Sequence, residues 1–317
     1  MPYFSAQRFI QLTQQQLQET IGDNKVVCAF SGGVDSSTVV ALLHTSGIHV
    51  TPLLIDTGFL RTDEVAQVCA NLQAANLPKP TILQSQQLFL QKLAGKVTAD
   101  DKRLTFRDTY FEVLAEYLTT QHIRFFGQGT QSKSQSNSRL YHNYPTPVFS
   151  KLKLEMVEPL IGVTKAQVRK LAAALKLPGV TVNRKSFPGP GLLLRFGGAA
   201  TQQKIELIRK VTAVVDKFVS DRAAFFRHCY QIFPYLEDGT PVIRLHAGTV
   251  ETGAIIIIRA VRERNDAFIP FVLPSNMQAE LVSAILSVAG ISRVCFDGTP
   301  KYGKLHHAVS GAPIEYQ

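Results

Sequence analysis

Along the first part of the chain, hydrophobic positions alternate between two textures. Short apolar runs at 25–30 (Val26-Val27-Cys28-Ala29-Phe30 within it), 50–56, 81–84 and 123–126 are bounded by glycine or polar residues and predict buried strands. Between them, residues 35–45, 63–75 and 101–121 carry apolar side chains at helical spacing, as Val39, Val40, Leu42 and Leu43 do in the first. This alternation predicts an α/β fold, with a parallel sheet between helices and ligands at the carboxyl ends of the strands. Three of those ends carry glycine among polar residues: Ser31-Gly32-Gly33, Asp56-Thr57-Gly58 and Gly127-Gln128-Gly129-Thr130.

Residues 131–152 break the periodicity. They are rich in Ser, Asn, Pro and Tyr and read as a lid or loop tip. Residues 164–175 predict a helix with Thr164 as its N-cap. The turn Phe187-Pro188-Gly189-Pro190-Gly191-Leu192 predicts a boundary. Residues 1–190 then form the first domain and 191–317 a smaller α+β unit. In that unit, helices are expected at 201–220 and 276–288, and strands at 241–245, 254–261 and 292–296.

Composition narrows the function classes. The 317 residues carry 34 Lys+Arg against 24 Asp+Glu, a formal charge of +10, and are 45% hydrophobic. No apolar run approaches the roughly 18 residues that span a bilayer. The start, Met1-Pro2-Tyr3-Phe4-Ser5, lacks the pattern of a secretory signal, so a cytoplasmic protein is expected. The four cysteines (Cys28, Cys69, Cys229, Cys295) form no CxxC pair, which argues against a disulfide framework, structural zinc or paired-cysteine sulfur chemistry. The basic balance suits a polyanionic nucleotide as well as nucleic acid, but without a dense Lys/Arg block a nucleic-acid arm is the weaker reading.

The most informative segment is Ser31-Gly32-Gly33-Val34-Asp35-Ser36-Ser37, set between a strand and a helix. Two glycines admit positive φ and let backbone approach an anion, the helix start supplies N–H groups and a positive dipole end, and the serines add hydroxyl donors. Asp35 is ill-suited to bare phosphate and fits a Mg²⁺ ion bridging phosphate oxygens. The turn has no Lys after its glycines, so it is neither a Walker A loop nor a GxGxxG fingerprint. His306-His307 have no partners at ligand spacing, and Asp266 and Asp297 read as caps or ion-pair partners rather than acids.

With strand, SGGVDSS turn and helix in register, the sequence resembles the PP-loop ATP pyrophosphatases. Further segments resemble the ATP-pyrophosphatase and dimerisation portions of GMP synthase: Asp56-Thr57-Gly58-Phe59-Leu60-Arg61, Gly127-Gln128-Gly129-Thr130, Val157-Glu158-Pro159-Leu160, Lys165 with Val168-Arg169, the FPGPGL turn, Ile291-Ser292-Arg293-Val294 and Ile314-Glu315-Tyr316. The resemblance covers nearly the whole chain. It implies an N-terminal domain of the adenine nucleotide alpha hydrolase-like fold, a C-terminal dimerisation domain, and a homodimer. It also implies the cofactors ATP and Mg²⁺ and an AMP-forming ligase that adenylates xanthosine monophosphate (XMP) and aminates it to GMP. Ser31, Gly32, Gly33, Val34, Asp35, Ser36 and Ser37 would hold the pyrophosphate moiety, with Asp35 at the metal, and Asp56 and Gly129 would line the adenosine. Arg184, Arg293, Lys301, Ile314 and Glu315 would face XMP, and Asp35, Arg139, His142 and Lys153 are the catalytic candidates.

The lid departs from the family pattern, reading Arg139-Leu140-Tyr141-His142-Asn143-Tyr144-Pro145 where the family carries Lys, Ser and two His. The terminal segment is interrupted by Tyr302–Ala312. Since no glutaminase domain fits ahead of Phe30, ammonia is expected from a separate glutaminase subunit or from free ammonium. Two alternatives stay open: a PP-loop paralogue adenylating another nucleotide or tRNA, and a non-catalytic nucleotide-binding paralogue.

Overall fold

The computed structural model describes residues 4–130, 151–184, 187, 189–239, 241–246, 248–264 and 267–300. The first half is built from α1 (Ala6–Ile21), β1 (Lys25–Ala29), α2 (Val34–Thr45), β2 (His49–Asp56), α3 (Glu64–Ala74), β3 (Thr81–Gln84), α4 (Gln86–Lys92), α5 (Ala99–Thr120), β4 (Phe125–Gly127), β5 (Glu155–Val157), α6 (Lys165–Ala174) and the short α7 (Gly179–Val182). The five strands form one parallel sheet in the order β3-β2-β1-β4-β5. The order reverses at β1, which pairs with β2 on one side and β4 on the other, so the turns after β1 and β4 flank a crevice at the carboxyl edge. The predicted α/β class is therefore observed.

Local chemistry explains the helices around this edge. Helix α2 is buried almost all round, with Val39, Val40, Leu42 and Leu43 inaccessible to solvent, as expected of a helix covered by sheet and neighbours. Helix α6 begins with a capping box, in which the Thr164 hydroxyl accepts from Gln167 N–H and the Gln167 side chain accepts from Thr164 N–H. Helix α1 is not among the elements expected from the sequence; its Leu17 and Ile21 are buried in the core on one side of the sheet.

A 3₁₀ turn, Gly191–Arg195, leads into the second half: α8 (Gln202–Ser220), β6 (Gln231–Leu236), β7 (Val242–His246), β8 (Thr249–Arg264), β9 (Ala267–Pro270), α9 (Ser275–Leu286) and β10 (Ile291–Asp297). The long β8 is the spine. It pairs antiparallel with β6, β7 and β9 and parallel with β10. The expected strand at 254–261 is thus the middle of a longer one, and β6 and β9 are additional. One cluster of buried side chains runs from Val27, Leu53 and Phe126 on the first sheet through Leu192, Leu193 and Phe196 to Ile208, Ile256 and Ile258. The same junction holds a buried lysine: Lys102 Nζ of α5 donates to the Phe196 carbonyl at 2.9 Å and lies 4.6 Å from the centroid of its ring. Among the described residues, no helix is long and apolar enough to cross a membrane.

Candidate active site

The turn between β1 and α2 is organised by its own serines. Ser36 Oγ accepts from Ser31 N–H at 3.3 Å and donates to the Gly33 carbonyl at 3.2 Å, and Ser31 Oγ accepts from Gly33 N–H at 3.4 Å. Gly33 is the N-cap of α2 and brings no side-chain cap to the first turn. That leaves the helix start dependent on backbone N–H groups and hydroxyls, the arrangement that receives anions. Gly32 has φ +69°, and a Cβ there would lie 2.2 Å from Val68 Cγ2 of α3. Only glycine fits this conformation at this contact.

Asp35, in the first turn of α2, pairs with Lys165 at the start of α6, with Nζ 2.5 Å from Oδ2. The turn after β4 packs beside it. A Cβ on Gly129 would lie 3.0 Å from Asp35 Cβ, so the Gly127–Thr130 turn passes directly against the Asp35 backbone. Glu158 holds that turn from behind, accepting from Gln128 Nε2 at 2.6 Å and from the Thr130 hydroxyl.

These turns open onto a cleft of about 370 Å³. One side presents Ser31, Asp35, Ser36, Gln128, Gly129 and Thr130, and the other the α5 residues Arg103, Phe106, Arg107, Tyr110, Phe111 and Leu114. Gly189 and Pro190 of the proline-rich turn also reach it. Arg107 is gripped by Asp108, with Nε and Nη2 at 2.9 and 2.7 Å from one carboxylate oxygen. Burial raises the Tyr110 hydroxyl to about 12, with the neighbouring Cys28 adding to the shift. Aromatic surface, two guanidinium groups and a helix start around one cavity suit a ligand that is part flat ring and part polyanion.

The structure thus gathers Ser31, Asp35, Ser36 and Gly129 around the cleft. Val34 and Ser37 are buried in α2, and Gly32 turns away from the cleft towards α3. Asp56 caps the turn after β2, accepting from Gly58 N–H at 3.0 Å and from Gln86 Nε2 at 2.7 Å, and is not in the cleft lining. Arg184 donates to the Gly32 carbonyl at 2.9 Å and pairs with Glu64. Lys153 is exposed ahead of β5, and Arg293 is exposed on β10. Arg139, His142, Lys301, Ile314 and Glu315 lie outside the described residues, as do 131–150 of the expected lid, Asp266 and the pair His306-His307. Asp297 is an ion-pair partner, as the sequence suggested, meeting the buried Arg259.

Sequence reasoning does not assign roles to Glu64, Glu158, Lys165 or the α5 wall. A signal for the wall is present, since Arg103, Arg107 and Tyr110 stand at i, i+4 and i+7 on one helix face. Lys165 meets Asp35 across 130 residues of sequence, a separation that local patterns do not report.

Fold and site together define an α/β domain with a PP-loop-type turn at the carboxyl edge of its parallel sheet. A family model described as the tRNA methyl transferase HUP domain matches residues 24–119. A subunit of glutamine-hydrolyzing GMP synthase from Methanopyrus kandleri is 30% identical over 311 residues, covering 94% of this chain and 97% of that protein. The corresponding subunit from Saccharolobus solfataricus is 33% identical over 225 residues, covering 68% of this chain and 61% of that protein. A glutamine-hydrolyzing GMP synthase of Nitratidesulfovibrio vulgaris is 31% identical over 307 residues, covering 92% of this chain and 59% of that protein. Among solved structures, NMN synthetase from Francisella tularensis aligns with a TM-score of 0.48 at 18% identity, covering 60% of this chain and 78% of that one. The chain spans about three-fifths of the length of the Saccharolobus relative (61%). The chain belongs to the GMP synthase family.

Proposed function

We propose that the chain is an AMP-forming ligase: it binds ATP in the cleft, transfers the adenylyl group to O2 of XMP with release of pyrophosphate, and lets ammonia displace AMP to give GMP. The observation that carries the reading is the Ser31–Ser37 turn, packed beside Gly129 and Thr130 on one wall of the cleft in a chain of this family. A purine carbonyl is a poor leaving site, and adenylation makes it a good one. The charge that grows on departing pyrophosphate meets N–H groups at the start of α2, the Ser31 and Ser36 hydroxyls and nearby cations, a preorganised set of donors.

Mg²⁺ fits this site with the nucleotide present. No cluster of three or more His, Cys, Asp or Glu that could hold a metal exists among the described residues, so the protein would offer Asp35 and leave the other positions to phosphate and water. When bound, the ion would neutralise phosphate oxygens. Asp35 would hold it, Lys165 would keep the Asp35 carboxylate oriented, and Arg103 and Arg107 would add positive charge along the opposite wall. XMP contacts fall to Arg184, Arg293, Lys301, Ile314 and Glu315, and lid chemistry to Arg139, His142 and Lys153. Assembly as a homodimer with ammonia from a separate glutaminase subunit or from free ammonium completes the reading. Residues 1–190 serve as the ATP-pyrophosphatase domain and 191–317 as the dimerisation and substrate domain.

A second reading, adenylation of another nucleotide or of tRNA, draws on the +10 charge and on the altered lid sequence. The experiment that separates them measures AMP and GMP formed from Mg-ATP and ammonium, with and without XMP. Equal XMP-dependent yields of AMP and GMP are expected. AMP without GMP, or no stimulation by XMP, moves the assignment to the second reading.

A further inference from the structure

Glu64, the first residue of α3, is 6% exposed and bound through both oxygens. Oε2 accepts from the Arg61 backbone N–H at 2.9 Å, and Oε1 accepts from Arg184 Nη2. The other end of the Arg184 fork, Nη1, donates to the carbonyl of Gly32 at 2.9 Å. Arg169 of α6 steadies the backbone behind this arginine, donating to the carbonyls of Val182 and Arg184 at 3.1 and 3.4 Å. One guanidinium therefore joins a buried carboxylate to the peptide at the centre of the SGG turn.

That peptide has a direction. In a planar trans peptide, the carbonyl of Gly32 and the N–H of Gly33 point to opposite sides. Drawing the Gly32 carbonyl towards Arg184 turns the Gly33 N–H the other way, towards Ser31 Oγ, which lies on the cleft side. Gly32 itself has no side chain to resist a flip of this peptide, and its φ of +69° is one of several conformations open to glycine. The restraint comes from Val68 packed against its α-carbon and from Arg184 on its carbonyl. Arg184 is in turn held by Glu64.

We propose that Glu64 is a positioning residue for the phosphate-binding turn: by fixing Arg184 on the Gly32 carbonyl, it keeps the Gly33 N–H turned to the opposite side, towards the Oγ of Ser31, a residue that lines the cleft. The inference rests on the reading that this turn receives ATP phosphates. A neutral glutamine at position 64 retains the shape but offers Arg184 no charge, and lysine at 184 retains the charge but lacks the fork that reaches both partners.

The test is calorimetric titration of the full chain with Mg-ATP, Mg-pyrophosphate and AMP, using wild type, Glu64→Gln, Arg184→Lys and the double variant. Each single variant is expected to weaken ATP and pyrophosphate by about 10-fold or more, as loss of an orienting partner commonly does, while AMP changes by less than about 2-fold. The double variant is expected to be no weaker than the weaker single, because both act through one contact. Unchanged pyrophosphate affinity in Glu64→Gln, an equal loss for AMP, or fully multiplicative losses in the double variant overturn the proposal. Should Glu64→Gln fail to fold, Arg184→Lys carries the same comparison. A wild-type chain that binds neither ATP nor pyrophosphate removes the phosphate reading and this inference together, whereas wild-type binding with indifferent variants removes the inference alone.

Discussion

Cys28 shows how a single residue at the end of β1 is constrained by what lies over it. Its side chain is fully buried, and a Cβ on Gly127 of the neighbouring strand would come within 3.3 Å of its sulfur. Burial raises the thiol from 9.0 to about 12. Because the folded-state value lies above the ordinary one, the folded chain holds this proton where the unfolded chain releases it. Its contribution to stability is therefore complete below pH 9 and is lost as pH rises from 9 to about 12. Denaturant titrations at several alkaline pH values should show a shallower fall in stability for Cys28→Ala than for wild type. Alkylation of folded protein at pH 8, read by mass spectrometry, should modify the exposed Cys295 and leave Cys28 intact. Rapid labelling of Cys28 would contradict the burial. The same fact weakens any role for this thiol in sulfur transfer, in line with the buried strand that the sequence predicts around it. A cysteine inside an apolar run signals burial, but the glycine pressed against it comes from a strand about a hundred residues away.

At the scale of elements, contiguous chemistry is readable from the sequence and assembled chemistry is not. The strand–turn–helix at Lys25–Thr45 can be read because every requirement sits within twenty-odd residues: an apolar run, two glycines, serines and then helical spacing. Strand β6 gives no clear signal because Pro234 lies in its middle, yet β6 ends the path β10-β8-β6, where a missing N–H is tolerated. The α5 wall, Lys165 and Glu64 reach the turn only through long-range packing. The turn itself supplies a direct measurement. At Gly32, alanine meets left-handed backbone and Val68 Cγ2 at 2.2 Å, whereas at Gly95, with φ +74°, a Cβ meets nothing within 4 Å. Gly95→Ala should cost about 1–2 kcal/mol from the backbone alone. Gly32→Ala should cost that plus about 1–3 kcal/mol of overpacking, and should weaken Mg-ATP binding where Gly95→Ala does not. Equal costs in chemical denaturation would show that α3 yields to the added methyl group and does not pin the turn.

At the scale of the whole molecule, the sequence marks a boundary at the proline-rich turn, and the chemistry on either side of it ties the halves together. Gly191 packs so closely on the Phe59 carbonyl that a Cβ would lie 2.3 Å away, and Leu192 N–H donates to that same carbonyl at 2.8 Å. Arg209 of α8 reaches back to the carbonyls of Gly58 and Leu60 at 2.5 and 3.0 Å, so the second half braces the turn after β2. Arg195, 2% exposed, stacks 3.5 Å above the Phe233 ring, and burial draws its guanidinium down to about 9. Lys102 spans the junction from the other side through the Phe196 carbonyl. Buried polar groups of this kind are costly once their partners leave, since a donor or acceptor stripped of water and partner costs about 1–3 kcal/mol, and more if charged. Unfolding the second half alone would strand several at once and expose Leu192, Leu193 and Phe196, which share one core with the first sheet. The halves should therefore unfold as one cooperative unit. Circular dichroism and tyrosine fluorescence should report coincident denaturant transitions, and a fragment of residues 1–190 should expose apolar surface and aggregate. Two resolved transitions, or a soluble and cooperatively folding 1–190 fragment, would show instead that the boundary in the sequence is also a boundary in stability.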